Sequence, residues 1–169
     1  MGLSAKIDAQ IPFELTGVGP LGGETRRRFD GWGVQALDGG TGNNQVDRMY
    51  EATITLAASA TQDIDLNGTV LLDALGGPAS FVKVKAIAVR ARAANTNNVV
   101  IGNAATNGFV GPFGAITHTV ALPPGGMFVV SAPLAGWTVT PATGDLLRVA
   151  NSGAGTSVTL DIVIVGTSV

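Results

Sequence analysis

Lys83-Val84-Lys85-Ala86-Ile87-Ala88-Val89-Arg90-Ala91-Arg92 is the stretch that decides the fold. Its charges stand two residues apart, the spacing of side chains on one face of a β-strand. Yet they do so in two registers, with Lys83 and Lys85 on odd positions and Arg90 and Arg92 on even ones. A straight strand would send the two pairs to opposite faces. A β-bulge near residues 86–88 would return them to one solvated face. The alternative is that one end of the strand turns its charges into a subunit contact.

The same alternation recurs on both sides of this segment. Thr53-Ile54-Thr55-Leu56-Ala57 has period two, and Asp63-Ile64-Asp65-Leu66-Asn67 sets acids against Ile64 and Leu66. Residues 80–94, 99–101, 116–122, 127–131, 137–140, 146–150 and 157–165 read as further strands, separated by Gly, Pro and Asn turns. That makes about eight or nine strands in residues 51–169. The one helical spacing, Leu71, Leu72 and Leu75 before Gly76-Gly77, covers residues 69–75 and is only a turn or two long. Short strands with frequent turn signals point to an all-β sandwich or barrel; of these we expect an antiparallel β-sandwich of jelly-roll type.

Residues 1–50 read differently. They hold five basic and six acidic residues, half of all the charges, and dense glycine between Gly17 and Gly42. We read them as an extended, glycine-rich N-terminal arm with one or two short strands, ahead of the sandwich domain at 51–169. Ordering so much glycine is entropically expensive. The arm is therefore expected to order on a partner surface, with residues 17–48 unprotected from hydrogen exchange in the free protein.

Composition narrows the function classes. The chain has 169 residues, 10 Lys and Arg, 12 Asp and Glu, and a net charge of -2, so a broad nucleic-acid footprint is not expected. No apolar run is long enough for a membrane-spanning helix. The start, Met1-Gly2-Leu3-Ser4-Ala5-Lys6, lacks a signal peptide's apolar stretch, so no secretion is expected. There is no cysteine, hence no disulfide or thiolate chemistry.

Residues 93–144 contain no Lys, Arg, Asp or Glu, and His118 is their one imidazole. A surface normally carries a quarter or more charged residues. So neutral a region is expected to be a surface shared between subunits, the alternative being that Thr and Asn solvate it. His118 has the parity of Ile116, Val120 and Leu122, which predicts a core or interface position. With a single His, neither a catalytic triad nor a zinc site is supported, and Asp63 with Asp65 reads as a solvated strand face. No catalytic residue, metal or cofactor is assigned. Gly17-Val18-Gly19-Pro20-Leu21-Gly22-Gly23 lacks the strand and helix that a dinucleotide loop requires. Arg26-Arg27-Arg28, flanked by Glu24 and Asp30 and followed by Trp32, is the one charge cluster of note: a solvated or locally paired patch, a contact to a protein partner's carboxylates, or a contact to a nucleic-acid backbone.

Several runs share one character: Val84-Lys85-Ala86-Ile87-Ala88-Val89, Ala94-Asn95-Thr96-Asn97-Asn98-Val99 and Gly102-Asn103-Ala104-Ala105-Thr106-Asn107-Gly108-Phe109. Pro124-Gly125-Gly126-Met127-Phe128, Ala132-Pro133, Gly136-Trp137, Gly144-Asp145-Leu146-Leu147-Arg148-Val149-Ala150-Asn151-Ser152 and Asp161-Ile162-Val163-Ile164-Val165-Gly166 continue it. Over residues 60–168 the chain resembles small structural proteins of tailed bacteriophages. The resemblance implies a non-enzymatic virion protein, made in the host cytoplasm, that decorates or stabilises the capsid surface. Its partners would be the major capsid protein and further copies of itself, a trimer suiting the threefold sites of a capsid lattice. Arg26, Arg27, Arg28, Trp32 and His118 would then lie at capsid or subunit contacts. Two other virion roles stay open. One is a tail, fibre or head-spike component binding host glycan, with Trp137 or Trp32 as an aromatic platform. The other is a major capsid subunit.

Overall fold

A computed structural model describes residues 3–8, 12–18, 24–29 and 34–169. The fourteen strands are β1 (Ala5–Asp8), β2 (Phe13–Val18), β3 (Glu24–Phe29), β4 (Val34–Gly39), β5 (Gln45–Val46), β6 (Arg48–Leu56) and β7 (Thr61–Asp65). They continue as β8 (Lys83–Ala91), β9 (Val99–Gly102), β10 (Thr119–Leu122), β11 (Met127–Ser131), β12 (Trp137–Thr138), β13 (Leu146–Asn151) and β14 (Val158–Thr167). Among the described residues there is no helix, and so none long and apolar enough to cross a membrane.

Two antiparallel sheets form the body. One has the order β11-β8-β14-β6, with β12 also paired to β8; the other has the order β10-β9-β13-β7. The pairings are nested: β6 with β14, β7 with β13, β8 with β11 and β9 with β10. The chain thus crosses from one sheet to the other and back along a folded ribbon. Period-two patterning explains why the sheets face each other. Val158, Leu160, Ile162 and Ile164 of β14 and Val84, Ile87 and Val89 of β8 are almost wholly buried. They share one core with Ile64, Val99, Ile101, Leu147 and Val149 of the other sheet. Burying each such side chain contributes about 1.5–3 kcal/mol. The architecture is all-β and β-sandwich-like.

The bulge foreseen in the charged strand is present, slightly earlier than expected. Val165 of β14 pairs with Ala86 and Gly166 with Val84, so Lys85 is the extra residue. Beyond it the core-facing positions become Ile87, Val89 and Ala91, which leaves Arg90 and Arg92 exposed on the outer face. Lys85 itself is buried. Its Nζ donates to the carbonyls of Pro133, at 3.2 Å, and Leu134, in the loop between β11 and β12. Gly166 makes this register attainable, since a Cβ there would lie 2.1 Å from the Lys83 carbonyl oxygen.

Three expectations are corrected. Residues 69–75 form no helix. Asp73 Oδ1 accepts from the amides of Leu75 and Gly77, both at 2.8 Å, and folds the segment into a turn. Residues 116–118 do not extend β10, because they close a loop in which the His118 amide donates to the Ala115 carbonyl. The first fifty residues hold five complete strands rather than one or two, and β6 begins at Arg48.

These N-terminal strands fall into two groups. β4 pairs with β1 and, in parallel, with β5. This small sheet buries Leu37 and Val46 against Ala86 and Val165, on the outer face of the larger sheet. Residues expected to await a partner are thus already packed at Leu37 and Val46. β2 and β3 form a separate hairpin, Phe13 opposite Phe29 and Thr16 opposite Arg26. Among the described residues they pack on each other and only marginally on any other strand.

Candidate functional site

The outer face of the larger sheet divides into a polar and an apolar half. In the polar half, Asp161 of β14 accepts from Arg90 Nη2 and Arg92 Nη2, each at 2.8 Å, and from the Thr53 hydroxyl at 2.8 Å. The two guanidiniums and the hydroxyl hold its carboxyl well below the usual carboxylate range. A cleft of about 410 Å³ lies beside it, lined by Glu51, Ala52, Thr53, Asp161, Ile162 and Val163. In the apolar half, β1 overhangs Ala86, Ala88, Val129, Val163 and Val165 across a cleft of about 240 Å³.

Apart from Glu51, the carboxylates of the body are engaged in holding the fold. Arg148 grips Asp63 with two hydrogen bonds, Nε to Oδ1 at 2.7 Å and Nη2 to Oδ2 at 2.8 Å, which lowers the Asp63 pKa. Asp65 accepts from the Asn67 amide, Asp145 from that of Ala142, and Asp47 from that of Ser168. Each satisfies a turn or ties neighbouring strands. Among the described residues no three of His, Cys, Asp or Glu are grouped to hold a metal ion. In the larger cleft the one hydroxyl beside a carboxylate, Thr53, donates to Asp161, which the two guanidiniums already hold.

The residues singled out in the sequence are dispersed. Arg26 and Arg28 are exposed on β3, where Arg26 Nη1 lies 3.6 Å from Glu14 Oε1 across the hairpin. Arg27 lies in β3 opposite Leu15, and Trp32 is outside the described residues. His118 is exposed, which corrects the core position inferred from its parity. Its Nδ1 lies 2.7 Å from the Phe113 carbonyl oxygen, so Nδ1 carries a proton. Trp137 is half-buried on β12 and packs against the main core.

Two features went unread in the sequence. One is the Arg90–Asp161–Arg92 cluster, whose signal was the shift in charge register. The other is the placement of the charge-free region. It supplies β10 and β11, which are edge strands of the two different sheets.

No family model, curated protein or solved structure matches this chain.

Proposed function

We propose that the chain is a non-enzymatic structural protein of a bacteriophage virion, seated on the capsid surface. It contacts the major capsid protein through the β2–β3 hairpin and further copies of itself through its body. The sandwich is of jelly-roll type, a reading supported by the nested pairing of eight strands, β6 to β11 with β13 and β14. The resemblance over residues 60–168 and the structural use of the carboxylates support a mechanical role.

The observation that carries this reading is the hairpin. A two-stranded ribbon is marginal by itself in water, and burial against a second surface stabilises it. Arg26, Arg27 and Arg28 stand consecutively along β3. Guanidiniums make two-pronged bonds to carboxylates, which suits an acidic face of a capsid subunit. Many weak copies of one contact on a lattice add up through avidity.

The test is co-sedimentation of the full chain with phage heads stripped of accessory proteins. The wild type should bind. The double variant Arg26→Glu, Arg28→Glu should bind at least tenfold more weakly while keeping its fold. A wild-type chain that stays in the supernatant at every concentration overturns the proposal.

A further inference from the structure

We propose that two copies of this chain join their larger sheets along β11, antiparallel, about a two-fold axis at Val129. The edge is open in a defined way. The Ala91 amide donates to the Gly126 carbonyl at 2.9 Å, and the Ala132 amide to the Lys85 carbonyl at 2.8 Å. Antiparallel ladders use alternate residues on each side of a strand. Even-numbered residues of β11 therefore bond to β8, and Met127, Val129 and Ser131 turn their N–H and C=O groups outward. Among the described residues no backbone group meets them.

The edges of the sandwich are unequally guarded. Natural sheets protect such rows with charges. On one side, β6 carries Arg48 and Glu51, and β7 carries Asp63 and Asp65. On the other, β10 and β11 carry none, and no charge lies anywhere in residues 93–144. Met127 is 65% exposed and Val129 40%. Beside them the outer face continues through Ala88 and Val163 to a cleft that Lys6 and Asp8 of β1 also line, the two ions lying 3.7 Å from each other.

A second copy is the occupant that this pattern selects. In a two-fold contact each charge near the axis approaches its own twin, at a like-charge penalty. A charge-free strand is free of that penalty. Centring the axis on Val129 pairs Val129 with its copy and Met127 with Ser131, so all three outward residues form bonds. The inference rests on the homo-oligomeric element of the proposed function and not on the virion element. Failure to bind phage heads leaves it standing.

The absence of cysteine makes the test clean. Facing residues in a hydrogen-bonded antiparallel pair have Cα atoms about 5.5 Å apart, within disulfide reach. Under mild oxidation, Val129→Cys should convert to a covalent dimer, and Glu51→Cys on the guarded edge should not. The wild type should sediment as a dimer. Val129→Lys, which sets two ammoniums at the axis, should weaken the dimer at least tenfold with its circular dichroism unchanged. If Val129→Lys fails to fold, the cross-linking pair decides. A wild type that is monomeric at every concentration overturns the proposal. So does a trimer, and so does equal cross-linking of the two cysteine variants.

Discussion

The two sides of the sandwich solve the same problem in opposite ways. On the β6/β7 side the edge strands carry charges and Asp63 pairs with Arg148, while Asp161 of β14 reaches across the middle of the sheet to Arg90 of β8 and to Arg92 just beyond it. On the β10/β11 side the edge strands have no acidic or basic residue, and order comes from backbone geometry, small residues and one buried ammonium from β8. The first side carries charges of the kind that guard a sheet edge. The second is held together without charged groups of its own, which leaves its edge neutral. An open sheet edge is therefore not one kind of surface, because guard charges decide whether it repels or pairs.

The largest expected effect is on the neutral side. Gly102 ends β9 at φ 102°, and a Cβ there would lie 2.4 Å from the His118 carbonyl oxygen. Gly102→Ala should destabilise by about 2–3 kcal/mol, through crowding and an unfavourable φ. Urea unfolding measures this. An unchanged midpoint would mean that the loop before β10 shifts freely, and that backbone fit does not hold this side.

The next effect concerns Lys85, the one ammonium reaching the neutral edge from within. Burial, with Lys83 nearby, pushes its pKa down. Between that lowered value and the unfolded value of about 10.4, the unfolded chain holds more protons. Stability should therefore rise with pH across that window, approaching it from below. Lys85→Met should remove the rise. It should also cost about 1–2 kcal/mol near neutral pH, because two loop carbonyls lose a charged donor. A variant with the wild-type pH profile would show that the ammonium is solvated in the native state.

The smallest effect is on the guarded side. Asp63 titrates below its unfolded value because of Arg148. Its contribution is full above an unfolded pKa of about 4 and fades as pH falls through the lower folded value. Asp63→Asn should cost about 0.5–1 kcal/mol at pH 7, the scale of a partly exposed pair. The difference from wild type should shrink in acid. A gap that persists at pH 2 would assign the effect to packing instead of charge.

The strands of the body were legible because their signal is local. In residues 157–165 every second side chain is apolar, and β14 buries that set. The span read at residues 127–131 coincides with β11, where Pro123-Pro124-Gly125-Gly126 closes a turn through the Gly126 amide and the Pro123 carbonyl. The core alternative for His118 failed because parity has meaning only on a strand, and hydrogen bonds to the Val110 and Ala115 carbonyls fold residues 110–118 into a loop. The burial of Leu37 and Val46 was not legible because the few apolar residues among these glycines do not show what they pack on. Their burial depends on Ala86 and Val165, far away in sequence.

By itself the sequence determined the class of structure, the shift in charge register that a bulge or a subunit contact would explain, and the stretch without charge. All three follow from side-chain alternation and composition, which neighbouring residues express. The tertiary structure alone decided which strands became edges. Edge position is a property of pairing order, and the nested pairing of β8 with β11 and β9 with β10 joins residues far apart in the chain. That order set both uncharged strands on one side of the sandwich, and so turned a peculiarity of composition into a surface.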